Sequence, residues 1–529
     1  MLLRKIFFYP ALFILCWVYA IKFNDIDYDL WARMAVGKIF FQTGQVLPYD
    51  IFSYTLTKEW IDHEWGSGVI FYFFADKFHD MGLLALKIIL VFTILFLITR
   101  IVKLQNPKPH AHKNILFYIL IILSAFFGIF HTIRCQLFTF TLFTLWIYVL
   151  ERVRRGETRL LWILPVTMLI WANLHGGFVA GIGLLGMYGV GEFLNRKPCA
   201  KYFLALIPTS LVTLINPYGF DYLKYIFHAT TMDRSGIGEW QMTNLFTGTN
   251  VWYSLKIIII ITVISLGYHY LKNRPGFYEI DKVRLIVLGI TLYLAISHIK
   301  HQTFFVVSAA SFIYHDFYAM FKDAGNYLIS KNREIMPKIM HSLDLVKSGL
   351  IYLLLIGGGM LFILYTPAQV IIPIDKFPLG SVEFVRQNNL KGNLLTVFHW
   401  GSYAAWKLYP NCLIALDGRY EEVYPNKTFI EVSNFISFQN IPDLNIYWDS
   451  ILKNYHTDII ILSTQSEHSK KAYRVMKHRK GWQMVYKDII SAVFVREKDL
   501  KEDYIQMDIH PLEVFREKYK TEVNFNGKS

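Results

Sequence analysis

Apolar stretches of about 16–21 residues recur through the first 366 positions, divided by short polar breaks, and a membrane span needs roughly 17–25 such residues. The pattern predicts eleven spans, at 6–22, 82–101, 115–131, 135–150, 160–173, 178–194, 201–215, 251–271, 283–298, 302–320 and 348–366. Beyond 366 the pattern changes. "NLLTVF", "CLIALD" and "TDIIILS" read as buried strands, "WQMVYKD" and "SAVFVRE" as a strand pair, and "LNIYWDSILKNYH" and "SKKAYRVMKH" as helices between them. The expected fold is an α-helical polytopic membrane domain at 1–366, with a first external loop at 23–81. A soluble external α/β domain at 367–497 and a charged tail at 498–529 follow it.

Charge orients the spans. With the N-terminus inside, the predicted inner segments carry 22 Lys and Arg and the predicted outer ones before the last span only 8, although the outer set is longer. That is a strong positive-inside bias, and it puts the C-terminal domain outside. A twelfth span at 64–78 would invert everything after it and move "ERVRRGETR" outside, so "EWGSGVIFYFFADKF" is read as an amphipathic helix on the outer surface. The basic head, apolar middle and Ala20 of the first 20 residues have the form of a signal peptide. An uncleaved first span is preferred, because three aspartates follow it directly.

Composition narrows the class further. Of 529 residues 54% are hydrophobic and 18% charged, where soluble chains are about a quarter charged. The formal net charge of +14 lies mainly in short loops between apolar runs, the placement that anchors to anionic lipid, so nucleic acid is not the expected partner. Four scattered cysteines form neither a disulfide framework nor a zinc motif.

Under this topology seven polar clusters fall on the outer side: "DIDYDLW", "WIDHEW", "HTIR", "NLHGG", "NPYG", "GEW" and "HIKHQ". Convergence on one face points to a polar cavity there. Asp27 and Asp29 can act as a general base or coordinate a divalent metal (Mg or Mn), or they can cap the helix that "DLWARMAVGKIFF" predicts. Glu64 is a further acid beside His63, or a helix-start acid between tryptophan anchors. Arg134, Lys300 and His301 sit in very short loops where they can hold a phosphate. His175, followed by two glycines, can bring backbone close to a ligand or simply end a helix.

Taken in order, D-x-D-L-W, "PYDIFSYT", H-E-W with its surface helix, "RCQLFTF", "NLHGGF", "NPYG" and "HWGSYAAWKLYPNCLIALDGR" resemble bacterial membrane proteins of the GT-C glycosyltransferase superfamily. The resemblance implies a transferase of sugars carried on polyprenyl phosphate at the outer face of the bacterial cytoplasmic membrane. Its acceptor would be a glycan, lipid or protein. In that superfamily an acid of the first external loop is the base or a metal ligand, a role that falls here on Asp27 or Asp29. Some branches place a second acid at the start of the fourth span, where this chain has Arg134 and Gln136. The candidate set is therefore Asp27, Asp29 and Glu64 as catalytic carboxylates, with Asp27 and Asp29 also as metal ligands. His63, Arg134, Gln136, His175, Lys300 and His301 would bind substrate. The competing readings are a glycolipid transporter or flippase, and a membrane scaffold.

The topology is testable without activity. In intact cells a membrane-impermeant thiol reagent should label Glu59→Cys and leave Arg155→Cys unlabelled. External labelling at 155 would overturn the eleven-span assignment.

Overall fold

A computed structural model of the chain describes residues 2–105, 114–124, 132–232, 234, 238–246, 253–276, 278–331, 350–366, 369–370, 372–373, 375–501 and 503–505. The tail from 506 on, and the parts of the expected spans at 125–131 and 348–349, lie outside these residues. The chain divides into two units. One comprises Met1–Asn24 with Leu84–Gln369, the other Asp25–Leu83 with Val370–Ser529.

The first unit is helical: α1 (Leu2–Lys22), the later part of α3 (Trp65–Gln105), α4 (Ile115–Ser124), α5 (Gln136–Arg154), α6 (Ile163–Leu174), α7 (Val179–Leu194), α8 (Ala200–Leu211), α9 (Phe220–Thr231), α10 (Tyr253–Asn273), α11 (Lys282–Ser297), α12 (Gln302–Phe312), α13 (Tyr314–Lys331) and α14 (Ile351–Tyr365). Among the described residues three helices are long and apolar enough to cross a membrane: Trp65–Gln105, Gly176–Leu194 and Leu255–Asn273. The pair Ile299–Phe312 and Tyr314–Tyr327, bent by 60°, makes a fourth if taken as one span. Fewer helices among the described residues than the expected eleven or so meet this length and hydropathy criterion. Several apolar runs fold into pieces too short to span alone. The run at 160–173 begins as a 3-10 turn, Thr158–Trp162, before α6, and the run at 201–215 ends as another, Val212–Leu214, after α8. A 12-residue helix such as α6 or α8 is about 18 Å long, against a hydrocarbon core of about 30 Å.

Packing in this unit relies on close approach and on one buried cation. Ala20, Ile21, Leu84 and Ile88 form a core on which Phe13, Trp17, Phe362 and Ile363 pack. Lys87 is buried, and its ammonium donates to the carbonyls of Ala20 and Phe23 at the C-terminal end of α1, where a cation offsets the helix dipole. Arg154 ties three helices together. Its guanidinium reaches Glu151 of α5 at 3.1 Å, Glu192 of α7 at 2.6 Å and Asp281, the N-cap of α11, at 2.9 Å.

The second unit is built on a five-stranded sheet, β1 (Gly392–Thr396), β2 (Cys412–Ile414), β3 (Ile459–Ser463), β4 (Trp482–Lys487) and β5 (Ser491–Arg496), in the order β2-β1-β3-β5-β4. The apolar runs become parallel β2-β1-β3, with Leu394 opposite both Ile414 and Ile459. The later pair adds β5 and β4 antiparallel. "SKKAYRVMKH" lies largely in the helix Glu467–Met476, whereas "LNIYWDSILKNYH" yields only a 3-10 turn at Pro442–Leu444 and the short helix Ser450–Asn454.

Residues 25–83 fold as part of this unit. The helix α2 (Tyr28–Thr43) packs on Gly401–Leu408 through Trp31, whose ring lies 5.0 Å from that of Tyr403. Gly37 and Gly68 let α2 meet the start of α3, since a Cβ on Gly37 would collide with the Gly68 carbonyl. The chain turns at His79 (φ 56°), which interrupts α3 between the expected surface helix and the span at 82–101. The "PYDIFSYT" segment lies along β2: Ile414 N–H donates to Phe52 O at 2.8 Å and Tyr54 N–H to Ile414 O at 3.1 Å. Beyond β2, the buried Arg419 donates to Asp417 at 2.9 Å and Asp50 at 2.8 Å, and its guanidinium lies over the rings of Phe52 and Trp60.

Removing one partner from such a buried charge group costs about 3–5 kcal/mol, because the other charge is left uncompensated. Asp50→Ala should therefore sharply reduce hydrogen-exchange protection of β2. Asp221→Ala, which loses only the exposed pair with Lys224, should leave it unchanged.

Candidate functional site

The sequence-selected residues fall into two groups, one in each unit. In the sheet-containing unit, Asp27 is the N-cap of α2: its backbone is extended (φ −83°, ψ 146°) and its carboxylate accepts from Asp29 N–H at 3.0 Å. Asp27 is buried, whereas Asp29, in the first turn, is exposed. The Asp29 carboxylate lies against the D-G-R loop so closely that a Cβ on Gly418 would stand 2.6 Å from its Oδ1. Gly418 N–H in turn donates to Ser402 Oγ at 3.3 Å.

One turn along α2, Arg33 is buried among three carboxylates. It contacts Asp62, Glu64 at 3.2 Å and Glu422 at 3.6 Å. His63 joins them, with Nδ1 3.4 Å from Glu422 and Nε2 3.7 Å from Glu64. Burial pushes the Glu422 carboxyl up, and the nearby Glu64 and Asp62 add to this, while His63 and Arg33 oppose it. Glu64 and His63 thus take part in a charge cluster whose other members, Arg33, Asp62 and Glu422, were not singled out. Asp62 stands within the same "WIDHEW" motif, but Glu422 is some 358 positions further along the chain, and only its place three residues after D-G-R marked it. Among the described residues no three His, Cys, Asp or Glu side chains are grouped as metal ligands, and the capping role of Asp27 engages one of the two proposed donors.

In the helical unit the chemistry is cationic and aromatic. Trp240, at the end of the 3-10 turn Gly238–Trp240, has the Lys300 ammonium 3.3 Å above its ring and the Arg234 guanidinium 4.3 Å away. Such stacking holds a cation in place. His298 Nδ1 donates to the Trp240 carbonyl at 2.7 Å, and the His298 and His301 rings are 5.3 Å apart. Arg134 pairs with Glu239. Gln136 opens α5, and its buried Oε1 and the Nδ1 of His301 have no hydrogen-bond partner among the described residues.

His175 Nδ1 accepts from Gly177 N–H at 2.9 Å. Thr139 Oγ1, 2.8 Å from the same nitrogen, accepts from Trp171 Nε1 at 2.8 Å. An accepting Nδ1 places the proton of the neutral ring on Nε2. The second glycine of "HGG" is required here, since a Cβ on Gly177 would meet both His175 Nδ1 and Thr139 Oγ1 within 2.7 Å. Trp240, Arg234, His298 and Thr139 were not selected from sequence. Trp240 and His298 do lie in the quoted "GEW" and "HIKHQ" motifs.

The chain matches no protein-family model, and no curated protein matches it in sequence. Solved structures do match in fold. The oligosaccharyltransferase of Archaeoglobus fulgidus in its apo form superposes with a TM-score of 0.56 at 9% identity, covering 87% of this chain and 70% of that one. The same enzyme tethered to an acceptor peptide containing the NVT sequon gives 0.55 at 10% identity, over 95% and 75%. The fold is thus similar to that of an archaeal oligosaccharyltransferase.

The Arg33 cluster carries a pH signature. Since the folded chain holds the Glu422 proton above the ordinary glutamate range, it binds more protons than the unfolded chain in that window, and stability falls as pH rises through it. Glu422→Gln should flatten this part of the stability–pH curve, as measured by thermal unfolding between the ordinary carboxylate range and neutrality. An unchanged slope would assign the effect to another group.

Proposed function

We propose that the chain is a membrane glycosyltransferase that moves a sugar from a polyprenyl-phosphate-linked donor to an acceptor at the outer face of the bacterial cytoplasmic membrane. The observation that carries this reading is the cationic group around Trp240, in a chain whose fold is similar to that of an oligosaccharyltransferase. Arg134, Lys300 and His301 are assigned to the donor phosphate, with Gln136 and His175 Nε2–H as neutral donors or acceptors beside them. When the anomeric carbon–oxygen bond to phosphate breaks, the electron pair leaves with the phosphate, and fixed cations stabilise that charge.

The acceptor hydroxyl or amide loses its proton to a carboxylate as its oxygen or nitrogen bonds to the anomeric carbon. Asp29 is the better base of the pair, being exposed while Asp27 is engaged as a cap. His63 and Glu64 are assigned a supporting role through the Arg33 cluster. Each group receives its step from its chemistry alone. The neighbour solved with a tethered acceptor peptide adds weight to a peptide acceptor beside a glycan or lipid. A lipid transporter is the second reading, favoured by one observation: the helical unit carries a charged cavity as well as the Trp240 cluster.

The test is reconstituted protein offered either polyprenyl-phosphate sugar or nucleotide sugar, with candidate acceptors. Transfer is expected from the lipid-linked donor only. Asp29→Asn should lower turnover by roughly 10²–10⁴ with folding intact, and Asp27→Asn far less, since asparagine also caps well. Arg134→Ala should weaken donor binding more than Arg134→Lys. Transfer from the nucleotide sugar without lipid carrier would defeat the proposal, and lipid movement without sugar transfer would establish the transporter.

A further inference from the structure

The helical unit is polar at two ends. α5 starts at Gln136 beside Arg134 and ends at Arg154; α7 starts just after His175 and Gly177 and ends just before Arg196 and Lys197; α11 runs the other way, from Lys282 to Ser297, just before His298. Sixteen residues of α11 separate the ends by about 24 Å. One end holds the Trp240 cluster. At the other is a cavity of about 530 Å³ lined by Arg154, Arg155, Lys197, Arg284, Asp281 and Asp316, among others.

The charges in this cavity are unevenly used. Arg154 occupies Glu151, Glu192 and Asp281, and Asp316 is held by Arg284 and by His269 Nδ1 at 2.7 Å. Glu279 accepts from Gly276 N–H at 2.9 Å. The acids are therefore engaged within the fold. On the cationic side, Lys197 is exposed and makes no side-chain ion pair among the described residues, and exposed Arg155 spends one nitrogen, Nη1, on Glu151. Arg284, whose buried Nε has no hydrogen-bond partner among the described residues, also lines this cavity, beside two accessible cations, and a buried N–H without a partner is costly.

We propose that this cavity is a second binding site, for a phosphate group held by Lys197, Arg155 and the Nε–H of Arg284. Guanidinium forks and an ammonium are the groups that take phosphate oxygens, and the carboxylates that would repel it are each already engaged by a cation or a backbone N–H. The site is independent of the transferase reading: it needs no sugar, no acceptor and neither aspartate. Its phosphate can come from a lipid headgroup or from free phosphate, and the two are separable.

The experiment uses the full-length purified protein in nanodiscs of phosphatidylcholine alone or with phosphatidylglycerol, and in detergent with or without inorganic phosphate. Native mass spectrometry reads retained lipid and thermal unfolding reads stabilisation. Phosphatidylglycerol should be retained over phosphatidylcholine and should raise the unfolding midpoint. Loss of two charged contacts in Lys197→Gln/Arg155→Gln should weaken retention by about tenfold or more. Both changes are at exposed positions, so the fold should persist. Arg284→Lys, which keeps the charge but removes Nε–H, should weaken it further. Stabilisation by inorganic phosphate that these variants abolish, without lipid preference, would identify free phosphate as the ligand. No preference and no stabilisation, or retention equal in wild type and double variant, would overturn the site.

Discussion

A buried guanidinium, that of Arg419, holds the sheet-containing unit in one piece. It lies between Asp417, two positions away, and Asp50, separated by 369 positions, with Phe52 and Trp60 stacked on its faces. A charge in that position is tolerable only because both carboxylates and both rings are present at once. The arrangement therefore requires the segment 48–60 to lie along β2 whenever the D-G-R loop is formed. That in turn brings α2 and Asp29 to Gly418, and Asp62, His63 and Glu64 to Glu422. Without Arg419 the acidic residues after the first helix would have no common support.

The strands were legible because each is a short, mainly apolar run, fully buried in β3 and alternating with exposed positions in the edge strand β4, a pattern that depends on no distant residue. The D-x-D, "PYDIFSYT", H-E-W and D-G-R motifs were also visible. That they form one cluster was not, because pairing across more than 350 residues leaves no local trace. Helix ends were less legible. Hydropathy counts apolar residues and does not see where α-helix gives way to a tighter turn, as where one run begins in a 3-10 turn at Thr158–Trp162 and another ends in one at Val212–Leu214. In the cationic cluster His301 and Lys300 were found from their place in a very short loop between spans. Thr139 and Arg234 were missed because a threonine in an apolar helix and an arginine in a loop look ordinary until their partners are known.

Within the helical unit, the same helices carry different chemistry at their two ends, and this follows from what each end must satisfy. At the Trp240 end, Lys300 and Arg234 stack on one ring, which fixes their position. At the other end Arg154 is surrounded by three carboxylates, and its charge is spent on joining α5, α7 and α11. The first arrangement gathers cations on an aromatic face, and the second uses charge to join three helices. The positive-inside rule counts both kinds of cation alike, so only the structure separates them.

The three aspartates that follow the first helix divide in the same way. Asp25 pairs with Lys376 at 3.1 Å, on the surface of its unit. Asp27 satisfies the first free N–H groups of α2, and its extended backbone sets the direction in which the helix leaves. Only Asp29 combines exposure with a fixed position, held at the positive end of the α2 dipole and pressed against a loop where glycine alone fits. The contact with Gly418 limits how far the carboxylate can move. Capping and placement thus share one turn of helix: Asp27 caps α2 by accepting from Asp29 N–H, and that same residue is the one set against Gly418.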